Sequence, residues 1–179
     1  MKIIYACLII SFLNASCSHY VDSNISKEQN SANRTGLIAY DHYDLFRYIP
    51  TYTLRADNEV SVPLSFEVRL PKKIRYYSGT NGSDFGFYYD SKQVVFIKTI
   101  LKDSEIKERT YEPSDKELDN LIENQLMTSR GKFDIKEITA SPKNKNIIIR
   151  RNGVLILLYN ISKDDIDNYI SLVSTFKLK

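Results

Sequence analysis

The sequence predicts an α+β domain: a mainly antiparallel sheet with two helices packed on it, ending in a β-hairpin followed by a terminal helix. Three observations predict it. Residues 147–159 set two β-rich runs on either side of Asn152-Gly153, a pair suited to a type I′ turn because both central residues need positive φ. Residues 61–70 (SVPLSFEVRL) place Leu64, Phe66, Val68 and Leu70 at alternate positions, as a half-buried strand does. Residues 118–126 and 166–176 carry apolar side chains at helical spacing, each behind a Ser-led start. Strands, helix, strands, helix in that order imply helices laid on an antiparallel sheet.

The elements follow along residues 37–179, read as a single domain. Residues 37–50 (LIAYDHYDLFRYIP) are aromatic-rich and suit a short helix or a strand equally. Pro63 puts an edge or a strand start in the run 61–70. Residues 74–77 read as a short extended piece and residues 78–84 (SGTNGSD) as a loop. Residues 85–89 and 93–101 read as strands joined by Asp90-Ser91-Lys92 in a hairpin. Ser114-Asp115-Lys116-Glu117 has the form of a capping box. Leu118, Leu121, Ile122, Gln125 and Leu126 then share one face, and Gly131 follows the last turn. Residues 133–139 read as a strand. The runs around Asn152-Gly153 are apolar almost throughout, so their strands are expected to be central, with both faces covered. Ser162 is expected to cap the last helix, with Asp164 and Asp165 suiting its dipole. Ile166, Tyr169, Ile170, Val173 and Phe176 form its stripe. There is no internal repeat.

The first seventeen residues have a different character. Met1-Lys2 leads into Ile3 to Leu13, about eleven mostly apolar residues. A spanning helix needs roughly 20. A short apolar run behind a basic start and before small residues reads as a signal peptide. Ala15-Ser16 supply those small residues, and "LNASC" at Leu13 to Cys17 resembles a bacterial lipobox, a Leu, two small residues and a Cys. Asn14 stands where that family prefers an aliphatic residue, and the Leu lies one place further back. The resemblance implies that Cys17 carries a diacylglycerol, that the chain is cut before it, and that the new amine is often acylated. The chain has two cysteines, Cys7 and Cys17. Cys7 leaves with the signal, and a leftover thiol in an exported protein calls for a special chemistry. Plain cleavage after Ser16 or Ser18 is the other course. Two or three acyl chains anchor stably where one is marginal. The implied location is exported and held to a bacterial membrane, on its periplasmic or cell-surface side. Residues 18–36, rich in Ser, Asn and charge and without hydrophobic period, read as a tether.

Composition excludes several classes. Loss of Lys2 lowers the formal charge from +3 to +2, too balanced for a dedicated nucleic-acid binder. The histidines are His19 and His42, and no His or Cys follows residue 42. That excludes Cys–His sites, Ser–His–Asp triads and ordinary zinc sites built within residues 43–179. Asp164, Asp165 and Asp167 lack calcium-loop spacing and fit a helix start. Gly79-Thr80-Asn81-Gly82 lacks the lysine and spacing of a phosphate loop. Glu105, Glu108 and Glu112 alternate with Lys and Arg as a solvated face. No catalytic residue, metal or cofactor is implied, although carboxylate pairs distant in the chain stay open.

The aromatic residues number 13 Tyr and 8 Phe, with no Trp. Tyr40, Tyr43, Phe46, Tyr48 and Tyr52 form one group. Tyr76, Tyr77, Phe85, Phe87, Tyr88 and Tyr89 form another. Neighbours on a strand point to opposite faces. One member of each pair, Tyr76/Tyr77 and Tyr88/Tyr89, is therefore either exposed or covered by another element. If exposed, Tyr76, Tyr77, Phe85, Tyr88 and Tyr89 make a surface suited to a protein or glycan partner. If covered, residues 37–52 are the cover. The last forty residues, a hairpin feeding a helix that ends "LVSTFKLK", and the strand ending "RLP" at Arg69 to Pro71 are similar to PsbP/Mog1-like domains. That fold's members are mostly binding or assembly proteins. The expected function is thus a non-catalytic binding or assembly module anchored in the cell envelope. The alternatives are an inhibitor or immunity-type lipoprotein acting on one target enzyme, a purely structural lipoprotein, and a small carboxylate-dependent hydrolase.

Overall fold

The computed structural model describes residues 36–39, 41–50, 54–56, 59–61, 64–80, 82–89, 92–99, 108–126, 133–151 and 153–179. Cys17, residues 18–35 and Gly131 lie outside them. The described chain is α+β, mainly antiparallel, and has three layers.

The middle layer is a six-stranded sheet. It contains β6 (Ile74–Thr80), β7 (Asp84–Tyr89), β8 (Val94–Thr99), β9 (Arg109–Tyr111), β10 (Lys145–Arg151) and β11 (Val154–Ile161), in the order β6-β7-β8-β11-β10-β9. All its pairings are antiparallel. The run around Asn152-Gly153 is the β10–β11 hairpin, with Gly153 at φ 74°. β11 lies in the interior of the sheet with all eight residues buried, as its continuous apolar run requires. The β6–β7 loop is shorter than the sequence implies. β6 runs on to Thr80, and a tight turn closes with Ser83 N–H donating to the Thr80 carbonyl at 3.2 Å. β7 and β8 join as expected, Tyr89 N–H donating to the Gln93 carbonyl at 2.9 Å.

One outer layer is a four-stranded sheet of β1 (Gly36–Ala39), β2 (Asp44–Tyr48), β5 (Phe66–Leu70) and β12 (Lys177–Leu178), in the order β1-β2-β5-β12. Residues 37–50, which suited helix or strand alike, supply two of these strands. A two-stranded ribbon, β3 (Leu54–Ala56) with β4 (Glu59–Ser61), lies in the chain between β2 and β5. The helix α2 (Ile166–Val173) packs on the same side of the six-stranded sheet. Phe46, Tyr48, Phe66, Val68 and Leu70 meet Tyr77, Phe85, Phe87 and Tyr89 there. The Phe46 ring lies 4.8 Å from Phe87 and 5.6 Å from Phe85, a packing worth roughly 0.5–1.5 kcal/mol per pair beyond area burial.

The other outer layer is α1 (Asp115–Asn120), continued by a π turn (Leu121–Gln125), and a 3-10 turn (Ile135–Glu137). Leu118, Leu121, Ile122, Leu126 and Ile135 cover Tyr76, Tyr88, Phe96, Leu155 and Leu157. Ser114 caps α1 by accepting the Glu117 N–H at 3.3 Å. Glu117 does not complete the box. Its carboxylate accepts the Tyr111 hydroxyl at 2.6 Å.

Two expectations are corrected. Residues 133–139 are not a strand. Asp134 accepts the Lys136 N–H at 3.0 Å and winds a local turn, while β9 and β11 already pair with both edges of β10. Ser162 does not cap α2. It accepts the Asp164 N–H at 3.3 Å in a preceding turn, and the helix begins three residues later behind Asp165.

Candidate functional site

The aromatic surface expected from Tyr76, Tyr77, Phe85, Tyr88 and Tyr89 does not form. All five are buried, the most exposed at 7%. Tyr77, Phe85 and Tyr89 face β2, β5 and α2; Tyr76 and Tyr88 face the helical layer. Sheets and helices on both sides leave neither member of a pair in water. Tyr76 stacks on Phe133 with ring centroids 4.6 Å apart, another cover that adjacency along the chain did not reveal.

A polar cleft of about 600 Å³ lies elsewhere, where three turns meet. The first is the link from β5 to β6, Pro71-Lys72-Lys73, by which the chain passes from one sheet to the other. The second is the β7–β8 turn, bringing Tyr89 and Gln93. The third is the entry to α2, bringing Ser162, Asp165, Asn168 and Tyr169. His42, just before β2, completes the rim.

The link is braced from below. Lys73 holds φ at 72°, a conformation that costs a non-glycine residue roughly 1–2 kcal/mol. The Tyr89 hydroxyl donates to the Pro71 carbonyl at 3.2 Å. Asp44, at the start of β2, accepts the Ile74 N–H through its carboxylate. Asp44 is almost wholly buried, and its Oδ2 has no hydrogen-bond partner among the described residues. Burial pushes its pKa up to about 6, against the pull of Lys72 and the Ile74 bond.

The floor is organised by Gln93 and Tyr169. The Tyr169 hydroxyl donates to Gln93 Oε1 at 2.8 Å. Burial, and secondarily Asp165, raise the pKa of Tyr169, so it remains a donor through the neutral range. Gln93 is 6% exposed. Gln93 lines the cleft, and its Nε2 has no hydrogen-bond partner among the described residues. Nε2 is not sealed from solvent, so its N–H pair is open to an acceptor that enters the cleft. Lys72 and Lys73 stand exposed above it, with Asp165 across the cleft. The cleft can therefore receive an anionic or carbonyl-bearing group at its centre.

Among the described residues that line the cleft, Asp165 is the one carboxylate. Among the described residues no three His, Cys, Asp or Glu gather as metal ligands, and no helix is long and apolar enough to cross a membrane. Sequence reading missed the cleft because its residues come from four segments; the one local signal was a lone Gln at the head of an apolar strand. Comparison of the chain with protein-family models, with curated proteins and with solved structures finds no match.

Proposed function

We propose that this chain is a lipid-anchored cell-envelope protein acting as a non-catalytic binding module, and that the cleft under Lys72 and Lys73 holds the anionic group of its ligand. The observation that carries the cleft assignment is Gln93. It is a buried side chain of the cleft lining whose carbonyl accepts the Tyr169 hydroxyl, which leaves its amide hydrogens for a ligand. The anchored part of the reading rests on the "LNASC" stretch and its Cys17. The likeness to PsbP/Mog1-like domains rests on the sequence of the last forty residues and of Arg69 to Pro71 alone, and the reading takes nothing further from it.

Two measurements test the proposal. The intact mass of protein purified from its native membrane shows a chain beginning at Cys17 with acyl mass, absent in Cys17→Ser. A chain without lipid refutes the anchor. Calorimetric titration with inorganic phosphate and with glucuronate gives binding that weakens about two- to fivefold for each of Lys72→Gln and Lys73→Gln, the range of an exposed ion pair. Binding unchanged in both variants, or absent for both probes, refutes the assignment of the cleft.

A further inference from the structure

The outer face of the four-stranded sheet is basic, while the layer on the far side of the molecule is acidic. In β2 and β5, Phe46, Tyr48, Phe66, Val68 and Leu70 point inward, so Arg47, Glu67 and Arg69 point outward. Lys177 of β12 pairs opposite Glu67, and Lys179 follows it. Glu67 contacts three cations: Lys177 at 2.7 Å, Lys179 at 3.1 Å and Arg47 at 3.3 Å. Arg69 lies over the Tyr43 ring at 4.5 Å. One carboxylate thus stands among four cations. The lysines keep 57% and 44% of their side-chain surface in water. Glu67's pKa falls to about 2, chiefly through the Lys177 hydrogen bond, so its charge persists as one carboxylate against these four side-chain cations. Across the molecule, residues 115–125 and 133–137 of the helical layer hold six acidic residues against two basic ones.

A small domain with opposite charges on opposite layers orients in an external field. The first strand of the basic sheet begins at Gly36. Eighteen residues separate it from Cys17, a reach of at most roughly 60–65 Å. An anchor at Cys17 therefore keeps the domain near a bilayer surface.

We propose that the outer face of the β1-β2-β5-β12 sheet docks on the anionic phospholipid headgroups of that bilayer, through Arg47, Arg69, Lys177 and Lys179, with the acidic helical layer turned away. The proposal extends the anchored reading, but its test does not depend on acylation. Each Lys or Arg near an anionic leaflet is worth about fivefold in affinity, and the effect fades with salt.

The test is lysine acetylation, read by mass spectrometry, on natively purified protein with phosphatidylglycerol or phosphatidylcholine vesicles. Intact mass first records whether acyl chains are present, which settles the anchor separately; unacylated protein is co-sedimented with the same vesicles. The expected result is that Lys177 and Lys179 react at least about fivefold more slowly on anionic than on zwitterionic vesicles, while Lys116 and Lys136 of the acidic layer do not change. Glu67→Gln removes the carboxylate among these cations and tightens the association about fivefold. Arg69→Gln loosens it by about the same factor. Equal labelling on both vesicle types, or protection of Lys116 and Lys136 as strong as that of Lys177 and Lys179, overturns the proposal. So does a Glu67→Gln variant that binds more weakly while folding normally.

Discussion

The Tyr169 hydroxyl donates to Gln93 Oε1 at 2.8 Å, joining two buried side chains that lie 76 residues apart in sequence. The bond ties α2 to the start of β8 and fixes which end of the amide meets the cleft. Tyr169→Phe leaves a buried carbonyl unpaired, and the expected cost is about 1–3 kcal/mol. Urea unfolding of the two proteins checks this. Equal midpoints and slopes would show that the bond contributes nothing.

Asp44 makes stability depend on pH in an unusual direction. Its folded pKa of about 6 lies above the ordinary 3.8, so the folded carboxyl holds its proton more tightly than the unfolded one. Stability therefore falls as pH rises from about 4 to about 6 and levels off above that. At 1.36 kcal/mol per unit the full cost is about 3 kcal/mol. Asp44→Asn keeps the shape and an acceptor for the Ile74 N–H without the buried charge. The variant is expected to exceed wild type by up to about 3 kcal/mol at pH 8 and to match it near pH 4. Parallel stability curves across that window contradict the assignment.

Tyr77 and Tyr88 act as core residues. Tyr77→Ala and Tyr88→Ala each empty a site packed on both sides, at about 3–5 kcal/mol. Thermal unfolding with a large fall in Tm for each is the expected result; a small fall would return these rings to the surface.

Gly86 lies beside Tyr88 on β7. A Cβ there would stand 2.9 Å from Tyr88 Cε2, and that ring is 1% exposed, held between Tyr76 and Phe133. Gly86→Ala is therefore expected to destabilise by about 1–3 kcal/mol through overpacking. A neutral or stabilised variant, again read by urea unfolding, would mean that the ring moves freely.

What the sequence revealed was local. Alternation at Phe66, Val68 and Leu70, the β10–β11 hairpin and the Ser114 cap depend on neighbours a few residues away, and each appears as read. What it hid was long-range. Residues 37–50 become strands because β2 finds β5, twenty residues on, and the aromatic pairs are buried because two further layers close over them. Asn160 illustrates the same limit. It sits at φ 58° and accepts the Ser141 N–H at 2.8 Å and Asn144 Nδ2 at 2.9 Å. Its own Nδ2 reaches the Lys92 carbonyl at 3.2 Å. One polar residue inside an apolar strand gave no sign of these partners. The cleft was hidden in the same way, since Lys72, Gln93 and Tyr169 meet only when three turns converge.

The central claim is that the Gln93 amide is the receiving end of a ligand site. Its side-chain NH₂ gives a resolvable ¹⁵N–¹H pair, assigned by its disappearance in Gln93→Leu. Titration of the native protein with glucuronate or inorganic phosphate is predicted to shift that pair saturably, together with the backbone amides of Lys72, Lys73 and Asn168. Saturable shifts confined to other parts of the molecule, or none at either probe, would contradict the account.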